Sequence, residues 1–322
     1  MSNVLSSVKK PTQEPSPIQK LKDRLGSLLQ GKDDLIEKAC ACYLSGGHLL
    51  LEGPPGTGKT SLAKAMSHAF GGTFNRIQMT SDLLPSDVVG ILRMKAGTND
   101  FEFRQGPLFA NFVLADELNR TTPKTQSALL EAMEEGTVTV DGHTHSLPKP
   151  FFVVATQNPL ESHGVYPLAE SQLDRFSMQL QFTNPDVNDE LRIYGRPDGR
   201  QGGQWGDSPS HFQVADVIEY RKKIDQIHVE ESVLRYLTTL VRETRNIPGI
   251  GHGVSVRGGL QYLQTVKSLA YVRGRDFVIP QDLKDLAIPC LAHRLVFTGM
   301  EVEIGAKNQM IQEILDRVPT PK

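Results

Sequence analysis

The sequence predicts an α/β fold, a parallel sheet covered on both faces by helices, followed by an all-α domain. Three observations predict it. Short apolar, strand-like runs alternate with amphipathic helical stretches over residues 18–185. One such run, Leu49-Leu50-Leu51, leads straight into a loop of Gly53, Pro54, Pro55, Gly56, Thr57 and Gly58, and then into a helix opened by Lys59, Thr60 and Ser61. From Val214 onward the strand signals cease and helical periodicity takes over.

The loop is G-x-x-x-x-G-K-T between a strand and a helix, the setting that marks a phosphate-binding loop. Its glycines let backbone N–H groups turn inward, and the helix N-terminus adds partial positive charge. Lys59 is expected to reach the β/γ-phosphates of a nucleotide, and the Thr60 hydroxyl to ligate Mg²⁺.

Composition bounds the rest. The chain has 322 residues, 39% hydrophobic and 22% charged, with a formal net charge of −2. That suits one large or two ordinary globular domains and no general nucleic-acid footprint. No apolar run approaches the roughly 20 residues that span a bilayer. The N-terminus lacks the apolar core of a secretory signal. Cys40, Cys42 and Cys290 are too few for a disulfide framework and read as buried small hydrophobes in a reducing cytoplasm.

Taken in order, residues 1–17 are polar and Pro-rich and read as a disordered tail. Helices follow over 18–29 and 33–44, broken at Gly31-Lys32. The helix after the phosphate loop runs to Phe70 and stops at Gly71-Gly72. Strands are predicted at 74–79, 112–115, 151–156 and 178–182, a helical stub at 81–87, and a hairpin near 91–105. Thr122-Pro123 opens a helix that ends at Glu135-Gly136. A second hairpin near 137–147 turns on Asp141-Gly142. Residues 186–213 form a linker. Within it, residues 196–211 are rich in Gly and Pro, without periodicity, and contain Trp205, whose role the sequence leaves open. Helices at 214–226, 232–246, 255–271, 280–293 and 308–316 complete a second domain over 214–322.

Several residues then carry chemistry. Asp116-Glu117 closes the strand FVLA. The Asp carboxylate can share Mg²⁺ with Thr60, and the Glu can polarise an attacking water. Asn158, just after the strand FFVVAT, can position that water or belong to an Asn-Pro turn. Arg175, in Leu173-Asp174-Arg175-Phe176, reads equally as a helix-end charge and as an arginine finger. Arg257 sits at a helix N-terminus, against the dipole, which suggests an anionic partner, although a surface arginine is the simpler reading. His143 and His145 alternate along one hairpin and lack further ligands for a zinc site.

Together these residues resemble an AAA+ ATPase of the MoxR type. The resemblance spans roughly residues 25–294. It is carried by GPPGTGKT at 53–60, DLLPSDVVG at 82–90, FRQGPLF at 103–109, ADELNRTTPKTQSALLEAMEEGTVTVDG at 115–142, ATQNPLE at 155–161, YPLAESQLDRF at 166–176 and HRLV at 293–296. It implies a P-loop NTPase core of the ASCE/AAA+ class with a C-terminal all-α lid, and nucleotide bound between them. Lys59 and Thr60 then fall on Walker A, and Asp116 and Glu117 on Walker B. Asn158 falls on sensor 1, Arg175 on an arginine finger acting on a neighbouring subunit, and Arg257 on the sensor 2 arginine. Gly31 matches a glycine before the adenine-side helix. The hairpins fall on inserts that face a central pore. The resemblance further implies ATP, Mg²⁺, a homo-hexameric ring and chaperone-like remodelling of a protein target, often with a partner carrying a von Willebrand factor A-type domain.

One departure stands out. Ser255-Val256-Arg257-Gly258 replaces a more usual Ser-Pro-Arg-Ala. Gly258-Gly259 carries a helix penalty of about 1 kcal/mol per residue and predicts a looser lid. Two rival functions fit the residues less well than a ring motor. A helicase- or clamp-loader-like nucleic-acid motor would need more cations on the hairpins than Arg93, Lys95 and Arg104 on the first and Lys149 beside the second. A nucleotide-gated scaffold with little turnover sits poorly with Asp116, Glu117 and Asn158 all present.

Overall fold

The computed structural model of the chain describes residues 17–29, 31–97, 99–158, 164–195, 212–299 and 302–321. Residues 1–16 of the tail expected over 1–17, the 196–211 segment and Trp205 lie outside them, and Pro17 belongs to the first helix instead.

Five strands form the central sheet: β1 (Leu49–Glu52), β2 (Phe74–Gln78), β5 (Phe112–Asp116), β8 (Phe152–Gln157) and β9 (Met178–Gln181). Their order is β2-β5-β8-β1-β9, and every pairing is parallel. The central strands are buried along nearly their whole length, as strands covered on both faces must be. Period-two alternation divides their side chains between two cores. Leu49, Leu51, Leu114 and Val154 pack with α1 (Pro17–Leu28), α2 (Asp33–Leu44) and α3 (Lys59–Phe70). Leu50, Val113, Ala115 and Val153 pack with α4 (Pro85–Val89) and α5 (Pro123–Glu135).

Local signals place the boundaries. Helix α3 ends on Gly71 and α5 on Gly136, both left-handed, which is how glycine closes a helix. Thr122 precedes α5 in extended conformation but makes no capping bond to the backbone; its hydroxyl meets that of Thr125 at 3.3 Å. Strands β3 (Gly90–Met94) and β4 (Phe101–Gln105) form the first hairpin, and β6 (Thr137–Val140) and β7 (His143–Ser146) the second. Asp141 and Gly142 both have positive φ, 48° and 79°, as a tight two-residue hairpin turn requires. The rings of Phe103 and His145 stack at 3.9 Å and join the two hairpins.

The chain after residue 212 forms α8 (Val214–Asp225), α9 (Glu231–Glu243), α10 (Val256–Val272), α11 (Pro280–Leu291) and α12 (Ile304–Arg317). Two features correct the expectation of an isolated all-α unit. Short strands β10 (Ile250–His252) and β11 (Val296–Phe297) pair within it; at two and three residues they are too brief to show a period. And this domain shares one continuous apolar cluster with α2 and the sheet, Tyr262 and Val266 of α10 joining Ala39 and Tyr43. The helix expected to end near Arg175 is the short α6 (Glu170–Leu173) before β9, whereas α7 (Val187–Tyr194) lies inside the segment read from sequence as a linker.

Ion pairs seal the same junction. Glu37 of α2 accepts from Arg273 at 2.8 Å and from Lys22 at 2.6 Å. Arg273 also donates to Asp282 at 3.0 Å and Asp285 at 2.6 Å. Burial opposes ionisation of Glu37, but the bonds from Lys22 and Arg273 prevail and hold its carboxyl below the usual range. Nor is α10 slack at Gly258. A Cβ there would lie 3.0 Å from Val254 and 3.2 Å from Arg294, and Arg294 donates to the Gly258 carbonyl at 3.3 Å. The glycine permits close approach of a buried arginine rather than loosening the lid.

Two buried histidines make the fold sensitive to acid. His48 Nδ1 accepts from the Val153 N–H at 3.0 Å and Nε2 faces the Met133 carbonyl at 3.1 Å, a pattern only the neutral ring satisfies. Burial, opposed by the Met133 bond, pushes His48 down to about 4. Burial and the neighbouring Arg294 push His293 down to about 3. Unfolded histidines protonate near 6.5. Below that pH the unfolded chain therefore binds more protons than the folded one, and stability falls. Urea unfolding followed from pH 7 to pH 5 is expected to show this loss, up to about 1.4 kcal/mol per pH unit for each histidine. A flat profile over that range contradicts the burial of both rings as neutral species.

Candidate functional site

The phosphate loop lies where β1 ends, at the carboxyl edge of the parallel sheet, the edge at which such folds bind ligands. Gly56 and Gly58 have φ of 80° and 100°, and a Cβ on either would meet nothing within 4 Å. Backbone conformation, not crowding, demands glycine there. Lys59 opens α3 and folds back, donating to the Gly53 carbonyl at 2.6 Å and the Pro54 carbonyl at 2.8 Å. Thr57 braces the loop through its own bond to Pro54 at 2.9 Å. Burial lowers the Lys59 ammonium, with Asp116 and Glu117 pulling the other way. A cavity of about 260 Å³ opens above, lined by the loop from Pro55 to Ser61, and by Arg76, Asp116, Glu117 and Asn158. The structure thus gathers Lys59, Thr60, Ser61, Asp116, Glu117 and Asn158 around one cavity.

Both acids are held before any ligand arrives. Asp116, at the end of β5, accepts from Thr156 at 2.7 Å through one oxygen and from Arg76 at 2.7 and 3.0 Å through the other. Glu117 has φ 60°, ψ 51°, a left-handed backbone rare outside glycine and costing about 1–3 kcal/mol. Its N–H donates to Thr156 at 2.8 Å, and its carboxylate accepts from Gln78 at 2.9 Å and Arg120 at 3.0 Å. One hydroxyl, that of Thr156, therefore anchors both acids.

The arginines are elsewhere. Arg175 and Arg257 line a second cleft, about 350 Å³, together with Gly46, Gly47, His48, Glu134 and Ser177. Gly47 and His48 precede β1, and Ser177 precedes β9, so this cleft opens at the amino edge of the sheet. Arg257, expected among the nucleotide-binding residues, does not line the phosphate cavity of its own chain. It lies beside Arg175, and both pair with Glu134, Arg257 at 2.6 Å. Placing a lid is a matter of tertiary packing, which a local motif does not encode. The second domain grips the Arg175 segment on both sides. Arg294 pairs with Asp174 at 2.9 Å, and Arg294 and His293 each reach the Phe176 carbonyl at 3.0 Å.

Sequence reasoning missed four residues of these sites. Arg76 and Gln78 share one face of β2, next to β5, and two polar residues two apart at a strand's end were the available signal. Thr156 is the one polar residue of the predicted strand FFVVAT. Glu134 sits in the last turn of α5, where a carboxylate opposes the helix dipole.

The cradle fits a nucleotide triphosphate, with open space over positive-φ glycines, a cation inside and a helix N-terminus behind it. Among the described residues no group of three or more His, Cys, Asp or Glu could enclose a metal. A divalent ion held by Thr60 and Asp116 would draw its remaining ligands from phosphate and water, as Mg²⁺ commonly does.

Comparison with known proteins agrees with this geometry. The family described as ATPase family associated with various cellular activities (AAA) matches residues 48–178, and the AAA lid domain matches residues 242–315. The chain is 41% identical over 305 residues to the uncharacterized protein YeaC of Bacillus subtilis, covering 93% of each. It is 39% identical over 306 residues to chaperone MoxR1 of Mycobacterium tuberculosis, covering 92% of this chain and 80% of that one. A crystal structure of a candidate ATPase from Cytophaga hutchinsonii superposes with a TM-score of 0.84 at 35% identity, covering 95% of both chains.

Replacing Thr156 with valine keeps its shape and removes both bonds. The unpaired Glu117 amide and Asp116 oxygen should cost about 1–3 kcal/mol in urea unfolding, and Thr156→Ser should recover most of it. Equal stability of the two variants would refute the anchoring role.

Proposed function

The chain belongs to the MoxR-type AAA+ ATPases, and from that premise we propose that it hydrolyses ATP at sites shared between subunits of a ring. One observation carries the proposal. The phosphate loop and Arg175 with Arg257 stand at opposite edges of one sheet. The β1 strand between them has four residues, about 13 Å of extended chain, and it is rigidly packed. Neither arginine can serve the phosphate loop of its own chain. Both can serve that of a neighbour in a head-to-tail ring, and six members is the size that the family resemblance implies.

In this reading the loop's N–H groups and Lys59 hold the phosphates. Thr60 and Asp116 hold Mg²⁺, which would offset phosphate charge when bound. Glu117 accepts a proton from the attacking water once it exchanges its Gln78 bond for that water, and Asn158 orients the water. Arg175 and Arg257 of the adjoining subunit stabilise charge that develops on the transferred phosphoryl group.

The work is remodelling of a protein. The first hairpin exposes Ile91, Met94 and Phe101, which suit a polypeptide better than a phosphate backbone, and Arg93 is neutralised by Glu102 at 2.7 Å. A partner with a von Willebrand factor A-type domain fits the resemblance. The three buried thiols fit a cytoplasmic setting.

ATPase rate measured against protein concentration tests the shared site. Turnover per subunit should rise with concentration as rings assemble. Lys59→Ala should lose ATP binding. Arg175→Ala should still bind ATP but turn over about 10³-fold more slowly. A rate per subunit that is flat with concentration and indifferent to Arg175 would contradict the proposal.

A further inference from the structure

We infer that Glu134 is a positioning residue, whose carboxylate holds Arg175 and Arg257 as one two-arginine unit aimed at the neighbouring subunit's ATP. The inference rests on the shared-site reading above and assigns a residue that the reading does not need.

Three observations lead to it. Glu134 pairs with Arg175 through Oε2 and with Arg257 through Oε1. Arg175 comes from the core, just before β9, whereas Arg257 comes from α10 of the second domain. A single carboxylate thus bridges two domains with one oxygen for each guanidinium. Glu134 also occupies the last turn of α5, which carries no basic residue of its own. A carboxylate there is unfavourable beside the helix's partial negative charge, so both compensating cations come from distant parts of the chain.

The charges say what the cluster can do. Two guanidiniums and one carboxylate leave one positive charge over. Each guanidinium has five N–H donors, and Glu134 occupies only part of each. Arg257 remains half exposed and Arg175 and Glu134 about 30% exposed in their side chains, so donors face the cleft. A phosphate group of the adjoining subunit can therefore enter without displacing Glu134. Without the carboxylate, two like charges would repel, and two long side chains would have to be ordered at each turnover. Preorganised donors avoid that cost, and the benefit falls on the transition state more than on ATP binding.

Mixed rings separate this role from a merely structural ion pair. Glu117→Gln subunits have a disabled acid but intact arginines. Arg175→Ala subunits have an intact acid but a disabled arginine unit. Mixing the two should restore turnover at interfaces where the first donates arginines to the second. Glu134→Gln is then added to one parent at a time. On the Glu117→Gln parent, the arginine donor, it should lower the restored turnover by about tenfold, with the KM for ATP little changed. On the Arg175→Ala parent the same substitution should leave it within about twofold. That second mixture also shows that a Glu134→Gln chain folds and assembles. Equal loss in both mixtures, or no loss in either, would overturn the inference. If the parents fail to complement at all, the shared-site reading falls, and the inference with it, by a result distinct from either.

Discussion

The separation of phosphate loop and arginines by a parallel sheet covered on both faces is the constraint from which the rest of the structure takes its meaning. Parallel strands send every strand-to-helix loop to one edge and every helix-to-strand loop to the other. The phosphate loop, Asp116-Glu117 and Asn158 follow strands. Arg175 precedes one. Four- to six-residue strands, buried on both faces, fix the distance between these edges and leave no hinge within the sheet. In the proposed reading, a chain built this way holds two half-sites, each completed by a second copy.

The second domain reinforces the constraint. Shared apolar packing, the Glu37–Arg273 cluster and the buried Arg294 fasten it to α2 and to the segment around Arg175. It sets Arg257 beside Arg175 rather than over the phosphate loop. Motion driven by nucleotide is then expected chiefly between neighbouring chains, with core and lid of one chain moving together. Helix α5 spans the gap. It starts shortly after Glu117 and runs 13 residues to Glu135, just past Glu134, about 20 Å of rigid rod.

Much of this was legible in the sequence because local chemistry dictates it. Glycine stops after α3 and α5, Pro123 at a helix start, Asp141-Gly142 in a hairpin and the phosphate loop after Leu49–Leu51 each depend on a few adjacent residues. The walls of the phosphate cavity followed from strand ends for the same reason. What escaped depends on pairing across the chain. Thr156 is an unremarkable threonine until β8 sets it beside Asp116 and Glu117. Arg76 and Gln78 gain their acidic partners, Asp116 and Glu117, only when β2 pairs with β5. Glu134 looks like one more solvated acid until Arg257, 123 positions away in the second domain, and Arg175, from the core segment before β9, arrive beside it. By local helix propensity Gly258 reads as a weakness, whereas the Arg294 it accommodates is distant in sequence.

The most direct test is a structure of assembled Glu117→Gln rings with Mg-ATP bound. Slowed hydrolysis should leave the γ-phosphate in place. The account predicts that the Arg175 and Arg257 guanidiniums at that phosphate both come from the adjoining subunit, while Lys59 comes from the same chain as the loop. A γ-phosphate met by Arg257 of its own chain, or by no arginine of a neighbour, would contradict it.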